Sequence, residues 1–221
     1  MNLERLTKFL VELSFNNDKP WFDKNRAEYQ ILRLEFIDFM QELISGISSF
    51  DASVKAVKAK QTLFRINRDV RFSNNKNPYK THFSAAIASG GRHSSLPIYY
   101  GQLGAEESVV AGGVYLPESD QLSTIRRFIS LNPKKADALL KNKILLEHFS
   151  GLDIDAVLSR FPKGFSEGSE LLKHKSFTVS RGFDAFGMEL DALHDDLISS
   201  FQNMQPLHKF LREALTHGVK L

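Results

Sequence analysis

Between about Lys58 and Leu116 the hydrophobic period of this chain is two, and the breaks inside that stretch are short. No other feature limits the possible folds as much. Four runs alternate in this way, residues 61–72, 81–88, 97–103 and 108–116, parted by the turn-like segments SNNKNPYK, SGGRHSS and GAEE. Clusters of Gly, Asn, Ser and Pro end strands and favour turns. A parallel return needs a crossover of about a dozen residues or more. None of the three separators is that long, so the runs are expected to pair as antiparallel neighbours in a meander sheet.

The flanks read as helices. Leu6, Phe9, Leu10 and Leu13 recur at threes and fours near the start. In FNNDKPWF, Asn17 or Asp18 suits a helix cap, and Pro20 suits the first turn, where a missing N–H costs nothing. A long helix is expected from there to about Ser48, with Phe22, Tyr29, Leu32, Phe36, Phe39, Leu43 and Ile47 along its apolar stripe. That stripe suits core packing better than a cofactor slot. PESDQLSTIRRFIS, NPKKADALLKN and KILLEHF predict three more helices, and Met188 to His217 predicts two, with Pro206 opening the second or kinking a single one. A short strand at Phe177–Val179 is the one regular element read in the intervening Pro- and Gly-rich stretch. With no repeat and no composition break, the expectation is one α+β domain over residues 1–221. It would hold a central antiparallel sheet of about four or five strands between N-terminal and C-terminal helices.

Composition removes several function classes. There are no cysteines, which excludes disulfides, thiolate metal sites and cysteine nucleophiles. The seven histidines include no pair at H-E-x-x-H or other compact ligand spacing, and there is no P-loop and no G-x-G-x-x-G, so neither a metal nor another cofactor is expected. MNLERLTKFL reads as an amphipathic helix rather than a leader, and no apolar run reaches the roughly 18 to 20 residues of a membrane helix. A cytoplasmic protein with no membrane partner is expected. GFSEG, Gly164 to Gly168, fits G-x-S-x-G. The nucleophile elbow, however, needs a buried strand before the serine, and Pro162 and Lys163 stand there instead.

Charge is concentrated. The chain carries a net +3, yet from Lys55 to Lys80 eight basic residues stand against one acid, Asp69, so that segment alone is +7. In a regular strand Phe64, Ile66, Val70 and Phe72 share one face, and Arg65, Asn67, Asp69 and Arg71 the other. Arg68 falls in the apolar register. Either a bulge near Asp69 resets the register, or Arg68 is buried and must be paired, because stranding a guanidinium costs several kcal/mol. Two readings stay open. In one, the arginines satisfy helix carboxylates in a structural ion network, as in a protein-interaction or structural domain with no ligand. In the other, Arg65, Arg68, Arg71, Lys76 and Lys80 form a pocket for a small anionic or phosphorylated ligand, with Asp69 or Tyr79 available for proton transfer. Nucleic acid is a further candidate partner, because Phe64, Phe72, Tyr79 and Phe83 lie among the cations. Arg126–Arg127 and Lys134–Lys135 form a second basic area, read as a solvated helix face. Gly112–Gly113 is read as a site of close approach by a ligand or backbone, or as a bulge.

The run LFRINRDVRFSNNKNPYKTHF resembles the signature of an uncharacterised family widespread in bacteria, domain of unknown function 2461. Further matching pieces follow in order: FLVELSFNNDKPWFDKNRAEY, AGGVYLPESDQLSTIRRFI, RFPKGF and LLKHKSF. The resemblance covers nearly the whole chain and implies one α+β domain. It implies no activity, substrate or cofactor. Trp21, Phe22, Arg26, Tyr29, Arg65, Arg68, Asp69, Arg71, Lys76, Tyr79, Lys80, Gly112, Gly113, Tyr115, Arg126, Gly164, Lys173 and Lys175 are among the matching positions, while Asn67 stands where an aromatic is expected.

Overall fold

A computed structural model describes residues 1–91 and 94–217. Arg92 and His93, in the SGGRHSS separator, lie outside the described residues.

The sheet has four antiparallel strands, β1 (His82–Ile87), β2 (Ile98–Gly104), β3 (Ser108–Val114) and β4 (Phe177–Phe183), in the order β1-β2-β3-β4. The α+β class and the meander are as expected, but the strand membership differs. Residues 61–72 are not a strand. They begin in a short helix, α4 (Ala59–Thr62), and continue as a chain joined only by isolated bridges, Leu63 with Ala85 and Asn67 with Tyr79. The fourth strand is instead the element read as Phe177–Val179, which runs four residues further.

The described residues gather into two compact units, one of residues 1–91, 100–110 and 182–199, the other of 94–99, 111–181 and 200–217. In the first, α1 (Leu3–Phe15) buries Leu6, Phe9, Leu10 and Leu13, as its spacing predicts, and Asn2 caps it by accepting from the Arg5 amide. Asp18 caps α2 (Lys19–Lys24), with Pro20 in its first turn. The expected long helix breaks at Asn25, whose side chain donates to the Trp21 carbonyl at 2.9 Å and closes α2. The helix resumes as α3 (Arg26–Ser48). Leu32, Phe36, Phe39, Leu43 and Ile47 of α3 are each 2% exposed or less. Phe36 meets Phe83 of β1 edge-on, with ring centres 5.5 Å apart.

The second unit is built on α5 (Ser119–Leu131), α6 (Pro133–Leu140), α7 (Lys143–Phe149) and α9 (Gln205–His217), while α8 (Leu190–Asn203), which leads into α9, begins in the first. Pro206 opens α9, the first of its two predicted roles. Ile125, Phe128 and Ile129 form the buried face of α5, and Phe128 packs edge-on against Phe210, 5.4 Å away. Among the described residues, no helix is long and apolar enough to cross a membrane.

Candidate functional site

The basic segment is shaped by how its two arms pair. The Phe64 amide donates to the Ser84 carbonyl, the Lys80 amide to Ile66, and the Arg68 amide to Pro78. One residue, Arg65, lies between Phe64 and Ile66, while three lie between Lys80 and Ser84. The arm leading into β1 therefore carries two extra residues opposite Arg65, a wide version of the bulge that resets strand register. The reset lies there and not near Asp69. Two extra residues shift the pairing without exchanging faces; along this arm Leu63 and Ile66 are buried while Phe64 and Phe72 are 38% and 96% exposed.

Beyond Arg68 the chain forms a polar turn closed on itself. Asp69 accepts from Arg71 at both carboxylate oxygens, at 2.9 Å from Nε and 2.6 Å from Nη2. The pair holds the Asp69 carboxyl below its usual range and leaves it committed to Arg71. Lys76 donates to the Val70 carbonyl at 3.1 Å. Arg65 is exposed.

Arg68 and Lys80 line one cleft of about 260 Å³ together with Asn17, Tyr79, His82 and Glu106. Arg65, Asp69, Arg71 and Lys76 do not line it. Of the cations expected to converge, two do. Half-buried Arg68 is held by neutral groups: Nη1 donates to the Asn77 carbonyl at 3.2 Å, and Nη2 to the Ser73 hydroxyl at 3.3 Å. No carboxylate of the described residues lies within ion-pair distance of it. The Lys80 ammonium also rests 5.2 Å from the centre of the Phe64 ring. Tyr79 is buried, stacked at 4.0 Å on Phe22, and its backbone is gripped by the Asn17 amide.

His82, the first residue of β1, has no place in a reading of charge patterns, because a lone histidine on a strand looks like any core residue. Burial, then the charges of Lys80 and Arg68, push its pKa down to about 4. The imidazole is therefore neutral at pH 7, and beside the two cations it offers the cleft one ring nitrogen as acceptor and one as donor. The consequence for stability has a definite sign. The unfolded chain takes up a proton near 6.5, the folded one only near 4, so this group withdraws stability as the pH falls from about 6.5 to about 4 and has no effect above that window. In an NMR titration the His82 ring should shift near pH 4, and a midpoint above 6 would contradict this arrangement.

Two other candidate chemistries can be placed. Ser166 of the GFSEG run is exposed and follows a turn rather than a buried strand, in a protein whose sheet is antiparallel, so it has no elbow geometry. No group of three His, Asp or Glu residues suited to a metal ion occurs among the described residues.

The model of the conserved hypothetical protein family known as domain of unknown function 2461 matches residues 5–210. The chain belongs to this family. The match takes in both arms of the basic segment, the cleft beside them and all four strands. No curated protein and no solved structure matches the chain.

Proposed function

We propose that this family member binds a small anionic ligand, a phosphate ester or a carboxylate, in the cleft lined by Arg68, Lys80 and His82. One observation carries the reading. Arg68 is fixed in direction by a carbonyl and a hydroxyl while no carboxylate of the described residues neutralises it. A guanidinium so held keeps N–H donors and a full charge for a ligand, and its planar fork suits two oxygens at once. Glu106, on the same cleft, adds an acceptor for a hydroxyl group of that ligand. Asp69 is committed to Arg71, so His82 replaces it in the role of proton acceptor or donor, with the phenol of Tyr79 the second candidate.

A melting-shift screen over inorganic phosphate, sugar phosphates, nucleotides and dicarboxylates tests this. A ligand present at about one hundred times its Kd stabilises the fold by roughly 2.7 kcal/mol. Arg68→Ala and Lys80→Ala should each remove that shift while leaving the unliganded melting point within a few degrees. A bound anion should also raise the His82 pKa, so affinity should grow as the pH falls toward 4. If no anion stabilises the protein and Arg68→Ala unfolds it, the arginines are structural and the reading fails.

A second reading, nucleic-acid binding, rests on Phe72. It is 96% exposed beside Arg71, whose guanidinium lies 5.9 Å from its ring centre. A solvent-exposed aromatic among cations suits stacking of an unpaired base. Oligonucleotide binding that falls steeply with salt and is lost in Phe72→Ala would favour it.

A further inference from the structure

The second compact unit holds a basic cleft of its own. Ser123, Arg126, Arg127 and Ser130 stand at i, i+3, i+4 and i+7 on α5, a polar stripe beside its buried face. A β-turn runs across from it, closed by the Phe165 amide donating to the Pro162 carbonyl at 3.1 Å. Gly164 sits at its third position with φ of +92°, the conformation that a type II turn demands there. The turn brings Lys163 and Phe165 to the stripe and encloses a cleft of about 350 Å³. Its base is tied down by Lys173, which pairs with Glu170 at 2.8 Å and lies 4.6 Å from the Phe161 ring centre.

The lining is lopsided in charge. It contributes Arg126, Arg127 and Lys163 and no aspartate or glutamate. None of the three has an ion-pair partner among the described residues. Arg126 is set in place by neutral acceptors, Nε donating to the Leu172 carbonyl at 3.1 Å and Nη2 to His174 at 3.2 Å. Those bonds orient the guanidinium without cancelling its charge, and burial lowers its pKa, so the charge is held at a cost. A solvated helix face, the sequence expectation for this area, has no facing turn and no fixed guanidinium. The remaining wall is apolar: Phe165 is half-buried and Leu131 is 74% exposed.

We infer that this cleft binds a small phosphate monoester, its phosphoryl oxygens on Arg126, Arg127 and Lys163 and an apolar or aromatic ester group on Phe165 and Leu131. Three cations match a dianion better than a carboxylate, and the Ser130 hydroxyl adds a further donor. The volume lies within the usual range for small-molecule sites, about 300 to 1,000 Å³. The inference is independent of the Arg68 cleft, which lies in the other unit.

Phenyl phosphate, titrated into the protein labelled for amide NMR, is the direct test. The expected result is saturable shifts at residues 123–131 and 162–165, with weaker binding of inorganic phosphate and none of phenol. Arg127→Ala and Lys163→Ala should each weaken binding roughly tenfold, the worth of one charge-assisted contact. Neither should lower the unliganded melting point, because each relieves like-charge repulsion; a merely structural pair would lower it. Arg68→Ala should leave these shifts intact, which separates this site from the cleft of the first unit. Shifts confined to the Arg68 region, equal affinity in both variants, or no binding at millimolar phenyl phosphate would each overturn the inference.

Discussion

Replacing Gly113 with alanine should cost on the order of 3 to 5 kcal/mol, lower the melting temperature by about 10 °C and leave a sheet that pairs poorly at β4. The residue has φ of +118°, a backbone conformation that side chains rarely tolerate and that alone costs about 1 to 3 kcal/mol. A Cβ there would also overlap the Phe177 carbonyl oxygen and sit 3.0 Å from Thr178 Cα. Both belong to the β4 backbone, so relief requires moving β3 and β4 apart and breaking their ladder. Gly164→Ala is the control. It too has positive φ, at +92°, but nothing lies within 4 Å of the added carbon. It should pay only the strain, about 1 kcal/mol. Denaturant midpoints of the two variants measure the difference, and a Gly113→Ala protein within 1 kcal/mol of the parent would sink the packing argument.

That glycine shows what a sequence discloses. The pair Gly112–Gly113 announces a close approach, but not by what. For Gly113 the answer is the backbone of a strand more than 60 residues later in the chain, and for Gly112 the side chains of Met204 and His208. Period and spacing made the local features legible: the buried faces of α1, α3 and α5, the strands β1 to β3, the turn residues between them and the start of α9. They reported little about partners. The alternation from Leu63 to Phe72 persists in the sequence, yet no continuous ladder forms, because the extra residues opposite Arg65 reset the pairing and the chain leaves its partner after Arg68. The apolar stripe of the second and third helices runs unbroken through Asn25, since an interruption that preserves spacing is invisible to periodicity. β4 was visible only as a fragment, lacking the turn signals that mark a hairpin. The candidate site was legible as an excess of charge. Which cations share a cleft depended on the Asp69–Arg71 pair and on the register reset, and His82 had no signal of its own.

Asn17 is where the helical layer fixes the cleft, and its loss should be felt in both stability and geometry. Tyr79 is paired with Asn67 in the arm opposite, but the hydrogen bonds of that bridge run through Arg68 to Pro78 and Lys80 to Ile66. The N–H and C=O of Tyr79 therefore point the other way, off the edge of the ribbon. The Asn17 side chain meets both, accepting from the amide at 3.0 Å and donating to the carbonyl at 3.0 Å, as one further strand would. A part-buried backbone pair left unmatched costs about 1 to 3 kcal/mol per group in the dry limit, less where water reaches it. Asn17→Ala should thus lose roughly 2 kcal/mol and the slow hydrogen exchange of the Tyr79 amide. Asn17→Asp keeps the acceptor and has no donor, so it should retain protection at that amide while still losing part of the stability. The order of the two variants in amide exchange is the decisive readout. If both protect Tyr79 equally, the clamp is not what holds this edge. If the order holds, the backbone between Arg68 and His82 is positioned from α1–α2 through one amide. Any anion affinity that the cleft possesses should then fall in Asn17→Ala together with the exchange protection of Tyr79.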